Sequence, residues 1–212
     1  MSERLYHEFG PLYGPGSEIL ILGSFPSVKS REQQFYYGHP QNRFWKIIAA
    51  LFDSEVPQTI DEKKDLILDN GLALWDVIES CEITGSSDSS IKNAITNDLS
   101  IILSSSPIKL IALNGTAAYN LYQRYDIKAI DTISASGQPY RSAGPYRSAG
   151  PYRNAGSDVS PIHAVRLPSS VPTVRFPYLV PAVRLPSSSP ANAAWSLSRL
   201  ISEWSDLLTI PQ

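Results

Sequence analysis

The sequence predicts an α/β protein, a three-layer α/β/α sandwich around a central, mostly parallel four-stranded sheet. Three observations predict it. Short apolar runs recur at 18–23, 72–77, 109–113 and 182–185, as strands buried on both faces require. Segments with apolar residues at helical spacing separate most of them, and strands that alternate with helices assemble into a parallel sheet. The residues with the most chemistry, at 23–27, 76–88, 114–116 and 186–192, lie just past the carboxyl ends of the runs, where open α/β sheets bind ligands.

Glu18–Gly23 is a continuous apolar run closed by Gly, the pattern of a buried strand feeding a loop. Arg43–Phe52 places apolar side chains at 44, 45, 47, 48, 51 and 52, a helical stripe. Asp61–Asn70 reads as a second helix, with Asp61 at its N-cap and Gly71 as its stop. Leu72–Val77 is the next strand, Ile91–Leu103 is expected to be helical, Lys109–Leu113 is a strand and Gly115–Tyr125 a helix. Ala182–Leu185 is the fourth strand. Ser189-Pro190 is expected to open the last helix, whose apolar face is Ala194, Leu197, Leu200, Ile201, Trp204, Leu207 and Leu208.

With 212 residues, 42% hydrophobic and 18% charged, the chain fits one domain with a full core. A repetitive Pro/Tyr/Arg/Ser-rich insertion interrupts it at about 134–181. Pro-Tyr-Arg-Ser-Ala-Gly stands at 139–144 and 145–150, Pro-Tyr-Arg-Asn-Ala-Gly at 151–156, and Ala-Val-Arg-Leu-Pro-Ser-Ser at 164–170 and again at 182–188. Pro and Gly in the six-residue copies oppose both helix and central strand. The insertion reads as a poorly packed loop or as a basic, Tyr-bearing arm that lies on DNA.

One cysteine, Cys81, excludes an internal disulfide and a thiolate cluster, and His7, His39 and His163 lie far apart, so no metal and no cofactor is expected. No apolar run approaches the ~20 residues that span a bilayer, and Met1–Arg4 has no secretory core. The expected setting is intracellular, cytoplasmic or nuclear, with no membrane partner. Net charge is −2, but Lys29, Arg31, Arg43 and Lys46 face Glu32 alone within 23–46, a local +3. Six arginines face Asp158 alone within 134–188, a local +5. Basic segments beside the candidate motifs suit a phosphate-contacting face.

In the first motif the strand enters Gly23-Ser24-Phe25-Pro26-Ser27, and Phe35-Tyr36-Tyr37-Gly38-His39-Pro40-Gln41-Asn42-Arg43-Phe44-Trp45 comes after it. The order suits a pocket that stacks a flat ring on aromatics and holds a water on an amide. Ser24 and Ser27 bind a phosphate or base edge, or shape the turn. His39 is a candidate donor to a bound group, or serves the turn before Pro40. Asp76, at a strand end, accepts from an N–H donor of a ligand or caps a loop, and Asp88 or Ser89 caps the helix expected from Ile91. Asn114-Gly115, before a helix, offers free amides to an anion. Ser187, Ser188, Ser189 and Asn192 form a second Ser-rich loop suited to phosphates.

These motifs resemble the uracil-DNA glycosylase superfamily, and within it the deoxyinosine (hypoxanthine-DNA) glycosylase branch. The long aromatic motif carries most of the resemblance, and Leu185-Pro186-Ser187-Ser188-Ser189-Pro190-Ala191-Asn192 resembles the family's second motif. The resemblance implies base flipping and hydrolysis of the N-glycosidic bond of deoxyinosine in DNA, with uracil and xanthine as further candidates, by a monomer without a lyase step. It places Asn42 as the catalytic residue that orients water toward C1′. Phe25 stands where many members keep that Asp or Asn, and Leu185 where related branches keep a His. Tyr37 matches the ring-stacking aromatic, with Phe25 and Phe44 completing the pocket, and Asp76 matches a base-reading position. Lys29, Arg43, Ser27, Asn114, Ser187, Ser188, Ser189 and Asn192 are then expected on DNA. Two other readings stand beside it: a lesion-binding protein of the same fold without turnover, and a nucleoside hydrolase.

Overall fold

The computed structural model describes residues 4–84, 88–125 and 180–208. The 139–156 repeats, the first Ala-Val-Arg-Leu-Pro-Ser-Ser copy and residues 85–87 lie outside them.

The four apolar runs form β2 (Ile19–Gly23), β3 (Leu72–Asp76), β6 (Leu110–Asn114) and β7 (Ala182–Leu185), in the order β3-β2-β6-β7, every pair parallel. Ile21 sits in register with Leu74 on one side and Ala112 on the other, all fully buried. Such β-branched and aliphatic runs bury both faces under helices. Leu12 pairs with Leu74 in an isolated antiparallel bridge, which covers the outer edge of β3.

The flanking helices are α1 (Val28–Gln33), α2 (Phe44–Leu51), α3 (Ile60–Leu68), α4 (Ser100–Leu103), α5 (residues 116–125) and α6 (Leu197–Leu207). α2 packs on α3 and α6, and α6 packs on β7. Phe44 and Trp204 meet edge to face at 5.9 Å, both fully buried. No helix among the described residues is long and apolar enough to cross a membrane.

Three expectations are corrected. Ile91–Leu103 is not one helix: Lys92–Thr96 is a strand, β5, and only Ser100–Leu103 is helical. β5 joins a second, antiparallel sheet in the order β1-β4-β5, built from β1 (Arg4–Tyr6) and β4 (Ile78–Glu82). Cross-strand pairing overrides a local pattern that alone fits a helix. Thr59, not Asp61, caps α3: its hydroxyl accepts from Glu62 N at 3.2 Å in a capping box, while Asp61 pairs with Lys64. Gly71 does stop that helix, at φ +66°. Finally, α6 begins at Leu197 with Ser196 as cap, well after Ser189-Pro190, and Ala194 is exposed ahead of it. The intervening residues are held as a loop by contacts no local pattern encodes.

β3 and β4 are separated only by Val77, whose N–H donates to Gly23 O at 2.9 Å while Ile78 N donates to Ser24 O at 3.1 Å. The chain thus passes from one sheet to the other directly beneath the first motif.

Candidate active site

β2 ends at Gly23, β3 at Asp76, β6 at Asn114 and β7 at Leu185, one row across the carboxyl edge of the sheet. The loops that leave these ends enclose a cleft of about 370 Å³, within the usual size of ligand sites.

The first wall is the Ser24–Ser27 loop and the aromatic turn. Ser27 caps α1, accepting from Ser30 N at 3.2 Å, and Ser30 Oγ accepts from Gly38 N at 3.1 Å. α1 thereby ties both halves of the long motif together. Phe35, Tyr36, Phe44 and Trp45 are core: Tyr36 donates its hydroxyl to Gly10 O at 2.9 Å, and Phe35 stacks on Trp45. Tyr37 differs. It has φ +52°, a backbone strain for a non-glycine residue, and it reaches the cleft with its ring stacked on Phe44 at 3.8 Å. Its hydroxyl is buried without a hydrogen bond. Burial, then the charge of Asp76, pushes this phenol far above its ordinary value; the Asn114 amide beside it, one N–H of which goes to Ser188, pulls the other way.

Asn42 lines the same cleft. Its Oδ1 accepts from Phe44 N at 3.0 Å, capping the first N–H of α2 from two residues before the helix. Its NH₂ makes no hydrogen bond among the described residues, so two donors and one oxygen lone pair remain for a ligand or water. Asn42 N donates to His39 O at 2.8 Å, and His39 Nδ1 accepts from Gln41 N at 3.2 Å. That bond leaves Nε2 as the protonated nitrogen of the neutral ring.

At the floor, Asp76 is buried and its Oδ2 lies 2.8 Å from His7 Nε2, itself fully buried. His7 rests against Phe9 at 4.5 Å and Phe25 at 6.4 Å, ring to ring. Asp76 Oδ1 packs against Gly23, where a Cβ would stand 2.2 Å from it. Ser24 Oγ donates to Asp88 Oδ1 at 2.6 Å, closing the rim. Desolvation where Asp88 lines the cleft, aided by Asp76, holds its carboxyl above the ordinary range, with the Ser24 bond opposing.

The second wall is the loop after β7. Asn114 holds it reciprocally: Nδ2 donates to Ser188 Oγ and Oδ1 accepts from Ser188 N, both at 2.9 Å. Ser188 is fully buried. Asn192 Nδ2 donates to Ser187 O at 2.9 Å, and Trp204 Nε1 to Pro186 O at 2.9 Å. Arg43 binds the loop to α2, donating to the carbonyls of Ser188 (3.3 Å), Ser189 (2.6 Å), Asn192 (3.0 Å) and Trp195. Arg43, Asn114, Ser188 and Asn192, expected on DNA, therefore spend their side chains building the loop. Ser187 and Ser189 do line the cleft.

The family model of the uracil DNA glycosylase superfamily matches residues 11–207. This chain belongs to that superfamily. Among its relatives, a protein named hypoxanthine DNA glycosylase from Methanosarcina barkeri is 34% identical over 142 residues, covering 63% of this chain and 88% of the relative. One of the same name from Methanosarcina acetivorans is 37% identical over 112 residues, covering 52% and 71%. The solution NMR structure of a candidate uracil DNA glycosylase from Methanosarcina acetivorans superposes with a TM-score of 0.59 at 27% identity, over 94% of this chain and 93% of that one. The superfamily fold is the three-layer arrangement around the parallel sheet described above.

Of the residues singled out in the sequence, Ser24, Phe25, Ser27, Tyr37, His39, Asn42, Asp76, Asn114, Ser187, Ser188 and Ser189 surround one cleft. Lys29, Arg43 and Asn192 do not line it; Lys29 is half-exposed and paired with Glu32 at 2.6 Å. Phe44 backs Tyr37 rather than facing the cleft. Two residues of the site are not legible in the sequence. His7 meets Asp76 across 69 positions through β1, a strand too short to show a period. Asp88 reads there only as a cap, and its bond to Ser24 depends on the fold back from β4.

Proposed function

We propose that this protein is a monofunctional DNA glycosylase that releases hypoxanthine from deoxyinosine, with uracil and xanthine as lesser substrates. A base in a duplex must be flipped out before its glycosidic bond is reached, and the cleft at the sheet edge takes it. Asn42 carries the reading, because its NH₂ and a free oxygen lone pair face a cleft that the two superfamily motifs build together. An amide cannot take a proton at neutral pH, so Asn42 orients water toward C1′ while the departing base leaves an oxocarbenium-like sugar. Asp76 accepts from the base N–H, and His39 Nε2 supplies a proton or hydrogen bond to the leaving purine. Phe25 and Tyr37 give the base its apolar walls. Ser27, Lys29, Ser187 and Ser189 grip the flanking phosphates, on a loop that Arg43, Asn114, Ser188 and Asn192 hold rigid. The names of the two Methanosarcina relatives point to the same base. The protein works as a monomer on DNA, in the cytoplasm or a nucleus, and needs no metal.

The test is alkali-induced strand scission on end-labelled duplexes that carry one deoxyinosine or one deoxyuridine. Scission at inosine, lost in Asn42→Ala, is the expected result. Scission at uracil alone would leave the family and remove the assigned base. Selective lesion binding without scission would favour a sensor of the same fold.

A further inference from the structure

Two polar groups in the cleft make no hydrogen bond to each other or to another described residue. Tyr37 Oη is buried without a hydrogen bond, and Asp76 Oδ1 makes none among the described residues because His7 holds only Oδ2. Both border Gly23: a Cβ there would stand 2.2 Å from Asp76 Oδ1 and 3.4 Å from Tyr37 Oη. A donor and an acceptor thus flank one backbone position that has no side chain to fill the space between them. An unpartnered buried hydroxyl is unfavourable, and a ligand acceptor removes that cost.

We propose that the Tyr37 hydroxyl and Asp76 Oδ1 are a paired reader of the lactam edge of a flipped base. Asp76 accepts from the ring N–H, and Tyr37 donates to the neighbouring carbonyl oxygen. This rests on the functional reading above and gives Tyr37 a polar role, since Phe44 already covers one face of its ring at 3.8 Å. Hydrolytic deamination replaces an amino group and a bare ring nitrogen by a carbonyl and a ring N–H, which inverts both positions of that edge. Adenine in the same pose would set its N1 lone pair against the carboxylate and leave the Tyr37 hydroxyl proton without its acceptor. Buried polar groups left mismatched in this way reject a ligand more strongly than a change of shape does. His7 contributes by fixing the carboxylate so that Oδ1 alone faces the base.

The experiment pairs Tyr37→Phe with an atomic change in the substrate. Single-turnover release is measured from duplexes with deoxyinosine and with deoxynebularine, whose purine lacks both the 6-oxygen and the N1–H and so takes up neither reader contact. Binding is measured on the corresponding 2′-fluoro duplexes, which resist cleavage. Removal of the hydroxyl is expected to slow release of hypoxanthine by about 10- to 100-fold and to weaken binding of its 2′-fluoro analogue. It is expected to change binding of the base without the oxygen by less than about 3-fold, because the lost bond has no acceptor there. The thermal midpoint of the free protein should hold or rise, since the hydroxyl is unpartnered before DNA binds. Equal losses on both bases, or none on inosine, would overturn the reader while leaving the glycosylase assignment in place. Wild-type protein that releases no hypoxanthine would overturn both.

Discussion

Asn42 has two jobs that single substitutions can separate. Its Oδ1 caps α2, a contact worth about 1 kcal/mol, and its remaining polar atoms face the cleft. Asn42→Ala should cut single-turnover release by about 10²- to 10³-fold, the usual cost of losing a placed donor. Asn42→Ser keeps a capping oxygen but loses the amide donors that face the cleft, so it should regain thermal stability without regaining activity. Recovery of both would reduce Asn42 to a cap. Gly23 is required for a different reason. An alanine Cβ would stand 2.2 Å from Asp76 Oδ1, and His7 restrains that carboxylate from moving aside. Gly23→Ala should therefore lower release at least about 10-fold, with the circular dichroism spectrum unchanged; full activity would show that Asp76 is not needed where it stands.

At the scale of elements, the second loop and α2 behave as one unit because Arg43 joins them. Its planar fork reaches four carbonyls, which one ammonium cannot do. Charge-assisted bonds of this kind contribute about 1.5–3 kcal/mol each, so Arg43→Lys should cost on the order of 3 kcal/mol in all. For a chain of this size that corresponds to a melting temperature lower by roughly 6–12 °C. Release should fall with it, and the Kd for DNA should rise, because Ser187 and Ser189 lose their frame. A thermal shift near zero would mean that Asn114 and Trp204 suffice to hold the loop. The same contacts hold the stretch after Ser189-Pro190 as successive turns rather than a helix: the carbonyls of Ser189 and Asn192 accept both from Arg43 and from the N–H three residues on.

For the whole molecule, the join between the two sheets matters most. β1 brings His7 beneath Asp76, its N–H donates to Glu79 O at 2.7 Å, and the buried Glu79 carboxyl sits on β4. Burial raises the Glu79 carboxyl above its ordinary value of 4.5, and His7 opposes the shift. Folded Glu79 then holds its proton more tightly than the unfolded chain does, so stability is lost as pH rises from about 4.5 through the raised folded value. Glu79→Gln keeps the shape and removes the ionisation. It should stabilise the protein at pH 7–8 and lose that advantage as pH falls toward 4.5, as read by urea denaturation. A benefit that does not vary with pH would assign the effect to packing.

The sequence by itself determined the parallel sheet, its four strands and the order of its motifs, because buried strands and helical stripes carry local periods. It also determined which segments hold chemistry: Asn42, Tyr37 and Asp76 stand in motifs with specific composition, and the structure brings all three to one cleft. The tertiary structure alone decided what each side chain touches. Arg43 reads as a free cation in a basic segment, yet packing turns it onto the loop between β7 and α6. His7 and Asp76 lie 69 residues apart, and Lys92–Thr96 becomes a strand only because β4 offers it an edge. Local propensity fixes what an isolated segment favours, whereas hydrogen-bond partners far along the chain exist only after the sheets have closed.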